Sequence, residues 1–158
     1  MDIVFDIDGT LASANHRLHL IMTHGSKDWE TFLSQEMVDK DTPIPETWLL
    51  MKLLIDIGHM IIFITGRKES TRAVTSAWLQ RSALELYGSE FAFKVVTRPL
   101  YMRTDGDRRE SYVVKEESLH QAIRQGYDPK LAFEDRTCDA KMWRRNDIRT
   151  CQVAEGNF

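Results

Sequence analysis

The chain has 158 residues, enough for one domain with its own buried core. Its apolar fraction of 42% and charged fraction of 28% are ordinary for a globular protein, and no run of eighteen apolar residues offers a membrane span. The formal net charge of -3 argues against broad, sequence-independent duplex binding, while leaving room for a local basic site that holds one phosphate group. The N-terminal MDIVFDID has neither a basic leader nor a long apolar segment, so a cytoplasmic location is expected. Cys138 and Cys151 match no metal-ligand spacing and read as reduced, structural residues.

Taken in chain order, Ile3-Val4-Phe5 is a short apolar run that predicts a buried strand ending at Asp6. Residues 20–41 break the pattern with one amphipathic piece, Trp29, Phe32, Leu33 and Met37, in polar surroundings. This predicts a small inserted helical cap over about residues 20–45. Residues 45–57 read as a helix, with Leu49, Leu50, Leu53, Leu54 and Ile57 at helical spacing and Gly58 as its stop. The run Met60 to Ile64 predicts a strand covered on both faces and ending in Thr65-Gly66-Arg67. A helix is expected from about 70 to 86, with Ala73, Ala77 and Trp78 on one side, and a third strand over 93–97. Lys115 opens a predicted helix over 115–124 that carries Leu119 and Ile123. Leu131-Ala132-Phe133 is a fourth strand ending in Glu134-Asp135. Thr137 can cap a helix through Met142 and Trp143, and 151–154 is a final short strand. Strands alternating with helices predict an α/β fold, a parallel sheet with helices on both faces, in a single domain over 1–158.

In such sheets ligands bind beyond the carboxyl ends of the strands. The predicted strand ends carry Asp6 and Asp8, then Thr65, Gly66 and Arg67, then Glu134 and Asp135, with Lys115 on the preceding helix. Four carboxylates cannot stay ionised in one small site without a counter-charge. A Mg²⁺ ion, which prefers oxygen ligands, removes the conflict and suits a phosphate substrate. Asp6 and Asp8 are two residues apart and would share a face in an extended strand. Gly9 permits a turn there, so one Asp can attack phosphorus while the other handles the proton of the leaving group. Thr65 can donate to a phosphate oxygen, and Lys115 can stabilise developing phosphoryl charge. Arg98, Arg103, Arg108 and Arg109 lie close to Lys115 in sequence.

These elements, DIDGT, ITGR, Lys115 and EDR, resemble in order the four motifs of the haloacid dehalogenase (HAD) phosphatases. The resemblance implies a Rossmann-like HAD fold in which Asp6 is the nucleophile and Asp8 the general acid, then base. It implies that Thr65 and Lys115 bind phosphate, and that Asp6, the main-chain carbonyl of Asp8, and Asp135 hold Mg²⁺. The segments GDRRESYVVKEE, KLAFEDRTCDAKMWRR and CQVAEGNF are further similar to the 3′-phosphatase domain of bacteriophage polynucleotide kinase/phosphatase. That likeness covers residues 1–20 and 58–158. It implies that Arg17 and Arg67, with Gly66, Arg103 and Arg109, contact the substrate. Two departures stand out. Glu134 occupies the first place of a motif that is otherwise a pair of Asp residues. No Gly is followed by Lys, so no P-loop exists and no ATP-dependent 5′-kinase activity is expected.

The implied substrate is a phosphorylated nucleic-acid end, with a nucleotide or small phosphomonoester as the alternative for the same chemistry. A phospho-receiver switch would also group acidic residues, a Thr and a Lys. Its phosphorylated Asp ends a middle strand, however, and it lacks an acid two residues on, the position that Asp8 fills here. A phosphate-binding module without turnover, through the change at Glu134, is the remaining non-enzymatic reading. Arg103 and Arg109 either clamp substrate phosphate or hold the loop that positions Lys115, and Trp29 and Phe32 either stack a base or form the cap's core.

Overall fold

The computed structural model describes residues 1–22 and 27–156. Part of the expected cap, residues 23–26, and the last two residues of the CQVAEGNF segment lie outside the described residues. The N-terminal third holds β1 (Asp2–Phe5), β2 (Ala12–Ser13), α1 (His19–Met22), α2 (Trp29–Phe32), α3 (Gln35–Asp39), β3 (Thr42–Pro43) and α4 (Pro45–Asp56). The remainder holds β4 (Met60–Lys68), α5 (Arg72–Tyr87), α6 (Ser89–Val96), β5 (Leu100–Arg103), α7 (Ser111–Arg124), β6 (Pro129–Arg136), α8 (Thr137–Arg145) and β7 (Arg149–Gly156).

Five strands form one sheet in the order β5-β4-β1-β6-β7, every pair parallel. Side-chain alternation gives it two cores. Ile3, Phe5, Ile61 and Phe63 pack with Trp48, Met51, Trp78 and Phe91 of α4, α5 and α6. Val4, Ile62, Ile64 and Ala132 pack with Leu119, Met142 and Trp143 of α7 and α8. The fold is therefore the expected α/β sheet with helices on both faces. The chain grows outward from β1 through β4 to β5, then crosses back to β6 on the other side of β1. That reversal opens a crevice at the carboxyl ends of β1 and β6. At the reversal the rings of Phe5 and Phe133 stack, 4.4 Å between centroids.

Several elements differ from expectation. The third strand is not 93–97, which lies in α6, but Leu100–Arg103. The apolar run around Phe93 fits either period. Phe91, Ala92 and Val95 recur at helical spacing and are buried, whereas Phe93 and Val96 face solvent. On α4 the packed face is Thr47, Trp48, Met51 and Ile55, with Leu54 beside it. Leu49, Leu50, Leu53 and Ile57 are exposed. Two apolar stripes compete on this helix, and the one carrying Trp48 wins: its indole N–H donates to the Leu11 carbonyl at 3.0 Å and its ring packs on Trp78. On α5, Thr75, Trp78, Leu79, Ser82 and Ala83 are buried, while Ala73 and Ala77 are exposed. Helix α7 begins a turn earlier than expected, so Lys115 sits in its second turn and Ile123 is exposed. Thr137 opens α8 and Arg136 is its N-cap.

The cap is three short helices, and β2 and β3 pair antiparallel at its base. Ala14, Ile21 and Phe32 form its small core, with Leu18, Leu20 and Leu33 packed against them.

Trp48→Ala should lower unfolding free energy by about 3–5 kcal/mol, through the cavity it leaves and the indole hydrogen bond it removes. Urea denaturation followed by circular dichroism reads that loss.

Candidate active site

Strand β1 ends at Phe5, but the Asp6 N–H still donates to the Phe133 carbonyl at 3.1 Å, so β6 fixes Asp6 in place. The chain then turns tightly: the Ile7 carbonyl accepts from the N–H groups of Leu11 (2.9 Å) and Ala12 (2.8 Å). Gly9 makes the turn possible twice over. Its φ is +80°, and a Cβ there would sit 2.1 Å from Oδ2 of Asp135. Because the strand has already ended, Asp6 and Asp8 do not share one face as an extended chain would have them. They join two different charge networks.

Asp6 belongs to the network around Lys115. The Lys115 ammonium lies 2.9 Å from Asp6, 2.7 Å from Glu134 and 2.8 Å from Asp139, and all four side chains are buried. Burial alone would strip the proton from Lys115, but the charges of Asp139, Asp6 and Glu134 outweigh it and hold the pKa well above the usual range. Burial pushes Asp6 well above the usual carboxyl range; Glu134 adds to the shift and Lys115 opposes it. Glu134 also accepts from the Trp143 indole N–H at 3.1 Å, and its other oxygen accepts from the Asp135 N–H at 3.2 Å. Asp135 is pushed up to about 7, by burial first and by Glu134 second. Its Oδ1 is buried with no hydrogen-bond partner.

Asp6, Glu134 and Asp135 each present an oxygen within 4.8 Å of the others. Three converging carboxylates, one of them with an orphaned buried oxygen, fit a hard divalent cation such as Mg²⁺. The same groups carry more negative charge than Lys115 alone offsets.

Asp8 belongs to the second network. Its Oδ1 accepts from Arg17 at 2.6 Å and from Arg67 at 2.7 Å. Both arginines also donate at 2.6 Å to Oδ2 of Asp41, and Arg17 donates to the Phe32 carbonyl at 2.7 Å. Two guanidinium groups against two carboxylates balance to zero. Burial would raise Asp8, but Arg67 and Arg17 outweigh it and hold the carboxyl far below the usual range. Arg17 and Arg67, expected as substrate contacts, are fully buried and grip Asp8 instead. Thr65 is also fully buried, its hydroxyl accepting the Arg67 N–H at 3.2 Å, while Gly66 lines the cavity.

Arg103 donates from Nε to the Gly66 carbonyl (3.1 Å) and from Nη1 to the carbonyls of Asp107 (3.2 Å) and Arg109 (2.7 Å). Arg109 pairs with Asp107 at 2.6 Å and Glu117 at 2.7 Å. These contacts hold the loop between β5 and α7, and both arginines also line the cavity. Sequence reasoning missed Asp41, which lies in no recognisable motif, and Asp139, which lies within KLAFEDRTCDAKMWRR but was not singled out. The only available signal was indirect: Arg17, Arg67 and Lys115, once buried, each require counter-charges.

The two networks open into one cavity of about 1150 Å³. Asp6, Asp8, Lys115 and Asp135 line its interior, Leu18, Trp29, Phe32 and Leu33 of the cap form a wall, and Lys68 and Arg108 also line it.

A family model described as the polynucleotide kinase PNKP phosphatase domain matches residues 1–158. The stem 28 kDa glycoprotein of Glycine max is 28% identical over 152 residues, which cover 95% of this chain and 56% of that protein. A protein of Autographa californica nuclear polyhedrosis virus, provisionally named a bifunctional polynucleotide kinase/RNA ligase, is 26% identical over 149 residues, 94% of this chain and 18% of that one. Among solved structures, a chain of a Pnkp1/Rnl/Hen1 RNA repair complex superimposes with a TM-score of 0.72 at 23% identity, over 99% of this chain and 43% of that one. The chain spans about half the length of the first curated relatives it matches. Its fold is also that of HAD-like hydrolases.

Two outcomes are expected from the acidic cluster. Asp6 and Asp135 bind protons more tightly folded than unfolded, so they stabilise the metal-free protein at low pH. Asp135's contribution is lost as pH rises from about 4 through about 7, and Asp6's as pH rises through its own raised pKa. A cation takes the place of those protons, so the rise in Tm on adding Mg²⁺ should be small at pH 5 and grow toward pH 8 in thermal-shift scans. Gly9→Ala, by displacing the Asp135 carboxylate, should remove most of that Mg²⁺-dependent rise at pH 8.

Proposed function

The chain belongs to the family of polynucleotide kinase PNKP phosphatase domains, and from that premise we propose that it is a Mg²⁺-dependent phosphomonoesterase that removes the 3′-phosphate from polynucleotide ends. The observation that carries this reading is the placement of Asp6: buried, fixed by β6, 2.9 Å from Lys115, and opening into the cavity beside the unpartnered oxygen of Asp135. Residues 1–158 act as one phosphatase domain in this reading.

Asp6 attacks phosphorus, the bond to the 3′-oxygen breaks, and an aspartyl-phosphate forms. The leaving oxygen takes a proton from Asp8. In the resting site Arg17 and Arg67 keep Asp8 ionised; the approach of the substrate phosphate raises its proton affinity, and Asp8 takes up a proton from solvent, or from the incoming phosphate monoanion, before passing it to the leaving oxygen. In the second step the Asp8 carboxylate accepts a proton from water as that water attacks phosphorus, and Asp6 is released. Lys115 stabilises charge on the transferring group, and Glu134, with Asp139, positions Lys115. Asp6, Asp135 and the Asp8 main-chain carbonyl would hold Mg²⁺, with Glu134 beside them, and the ion would neutralise charge between nucleophile and phosphate. Arg17, Arg67 and Asp41 act by holding Asp8, and Arg103 and Arg109 by holding the loop over Gly66. Thr65 and Gly66 hold the strand end against which the phosphate rests.

With Mg²⁺ present, a 3′-phosphorylated oligonucleotide should release phosphate with a higher kcat/KM than nucleoside 3′- or 5′-monophosphates. A preference for the mononucleotides would make free nucleotides the substrate instead. Asp6→Asn should lower kcat by at least about a thousandfold while leaving the circular dichroism spectrum unchanged. Chelation should abolish turnover reversibly.

A further inference from the structure

We propose that Trp29 is the platform on which the base of the substrate's terminal nucleotide stacks. The inference rests on the phosphatase reading of the same cavity and adds to it how the nucleoside is held. The chain has four tryptophans. Trp48, Trp78 and Trp143 are at most 1% exposed, and their indole N–H groups donate to Leu11, Asp41 and Glu134 respectively. Trp29 is 37% exposed and lines the cavity. A large ring left open to water beside a reaction centre is a surface awaiting a flat partner.

The ring is held firmly enough to serve. Asp28 caps α2, its carboxylate accepting the Thr31 N–H at 3.0 Å, which fixes the turn that presents Trp29. Trp29 rests edge-on against Phe32, 5.5 Å between centroids at 83°. The other support is electrostatic: the Arg17 guanidinium sits over the Phe32 ring at 4.2 Å and reaches Asp8 at 2.6 Å. A continuous line of contacts thus runs from Trp29 through Phe32 and Arg17 to Asp8, tying the platform to the reacting groups.

The chemistry around the ring selects the partner. A phosphate and a cation fill only part of a cavity of about 1150 Å³. Leu18, Phe32 and Leu33 line the cavity with Trp29 and give it an apolar side, edged by Asp28 and Glu30, which suits a ring with apolar faces and a polar rim. Lys27, whose ammonium lies 5.8 Å from the Trp29 ring centroid, also lines the cavity, as do Lys68 and Arg108. A flat apolar group with anions on its tether is a nucleotide within a strand. A bare sugar would use the ring but leave those cations without a purpose.

The test compares two 3′-phosphorylated oligonucleotides that differ only in the terminal base, present in one and abasic in the other. In the wild-type protein kcat/KM should favour the base-bearing end by about tenfold or more. That ratio should fall toward one in Trp29→Ala, mainly through KM, and be largely kept in Trp29→Phe. The same ratio in Trp29→Ala as in wild type would overturn the proposal. A binding readout accompanies it. In Asp6→Asn with Mg²⁺, the oligonucleotide should quench the fluorescence of Trp29, the one exposed tryptophan, and the quench should be absent in Asp6→Asn/Trp29→Phe. If the wild type released no phosphate from any substrate, the phosphatase reading would fall; the quench would then still support the platform, and its absence would overturn that too.

Discussion

Lys115 stands among three carboxylates, Asp6, Glu134 and Asp139, each within 3 Å, with the side chains out of water. A buried ammonium is costly unless it is paired, and here Lys115 donates a hydrogen bond to Glu134 and lies within ion-pair distance of Asp6 and Asp139. Satisfying Lys115 creates the opposite imbalance, however, because Asp135 adds a further buried acid a short distance away. Burial first, and the residual negative charge after it, raise Asp6 and Asp135 above their usual range. A cation would offset that imbalance and lessen the repulsion an anion would meet there. Asp139, four residues beyond Asp135, matters in this balance, since without it Lys115 would draw more strongly on Asp6.

The turn at Gly9 separates this charged cluster from a neutral one. Arg17 and Arg67 against Asp8 and Asp41 leave no net charge, and the geometry is bidentate on the Asp41 side, where Arg17 donates from both Nε and Nη2. Two carboxylates two residues apart thereby acquire opposite proton affinities, Asp6 raised and Asp8 lowered. In the metal-free site these affinities are the reverse of what a nucleophile at Asp6 and an acid at Asp8 would need; a cation on Asp6 would lower the first, and a phosphate dianion beside Asp8 would raise the second. The Arg17 side chain also binds the Phe32 carbonyl and the Phe32 ring, so the cap is anchored through the same guanidinium that holds Asp8. The cap's placement and the state of Asp8 are coupled by one buried side chain.

Much of this was legible in the sequence because strand ends carry a simple rule: an apolar run closed by polar groups places those groups at the edge of a parallel sheet. Asp6, Gly66, Lys115 and Asp135 all reach the cavity, as DIDGT, ITGR and EDR suggested. The misplaced third strand and the reversed face of α4 have a different origin. Both segments are apolar on more than one side, and only tertiary partners, β4 for Leu100–Arg103 and Trp78 for Trp48, decide between equal patterns. The arginines were legible as participants but not as to which side of Asp8 they occupy. That depends on Asp41, which comes from the cap, where no periodic signal exists to position it.

Glu134 shows how a departure from a motif can be absorbed by its surroundings. An Asp in that place has a carboxylate one methylene closer to the strand. The longer side chain brings one oxygen to both Lys115 (2.7 Å) and the Trp143 indole (3.1 Å), while the other accepts from the main-chain N–H of Asp135 and Arg136. With four donors on it, Glu134 is the most fully satisfied acid of the cluster, whereas Asp135 keeps an oxygen without a partner. The two adjacent acids of β6 are therefore divided: Glu134 is turned toward α7 and α8 to fix the lysine, and Asp135 is left facing Gly9 with its capacity to bind a cation intact. The extra methylene and Trp143 belong together, since the added reach would otherwise leave a buried carboxylate oxygen with one donor fewer.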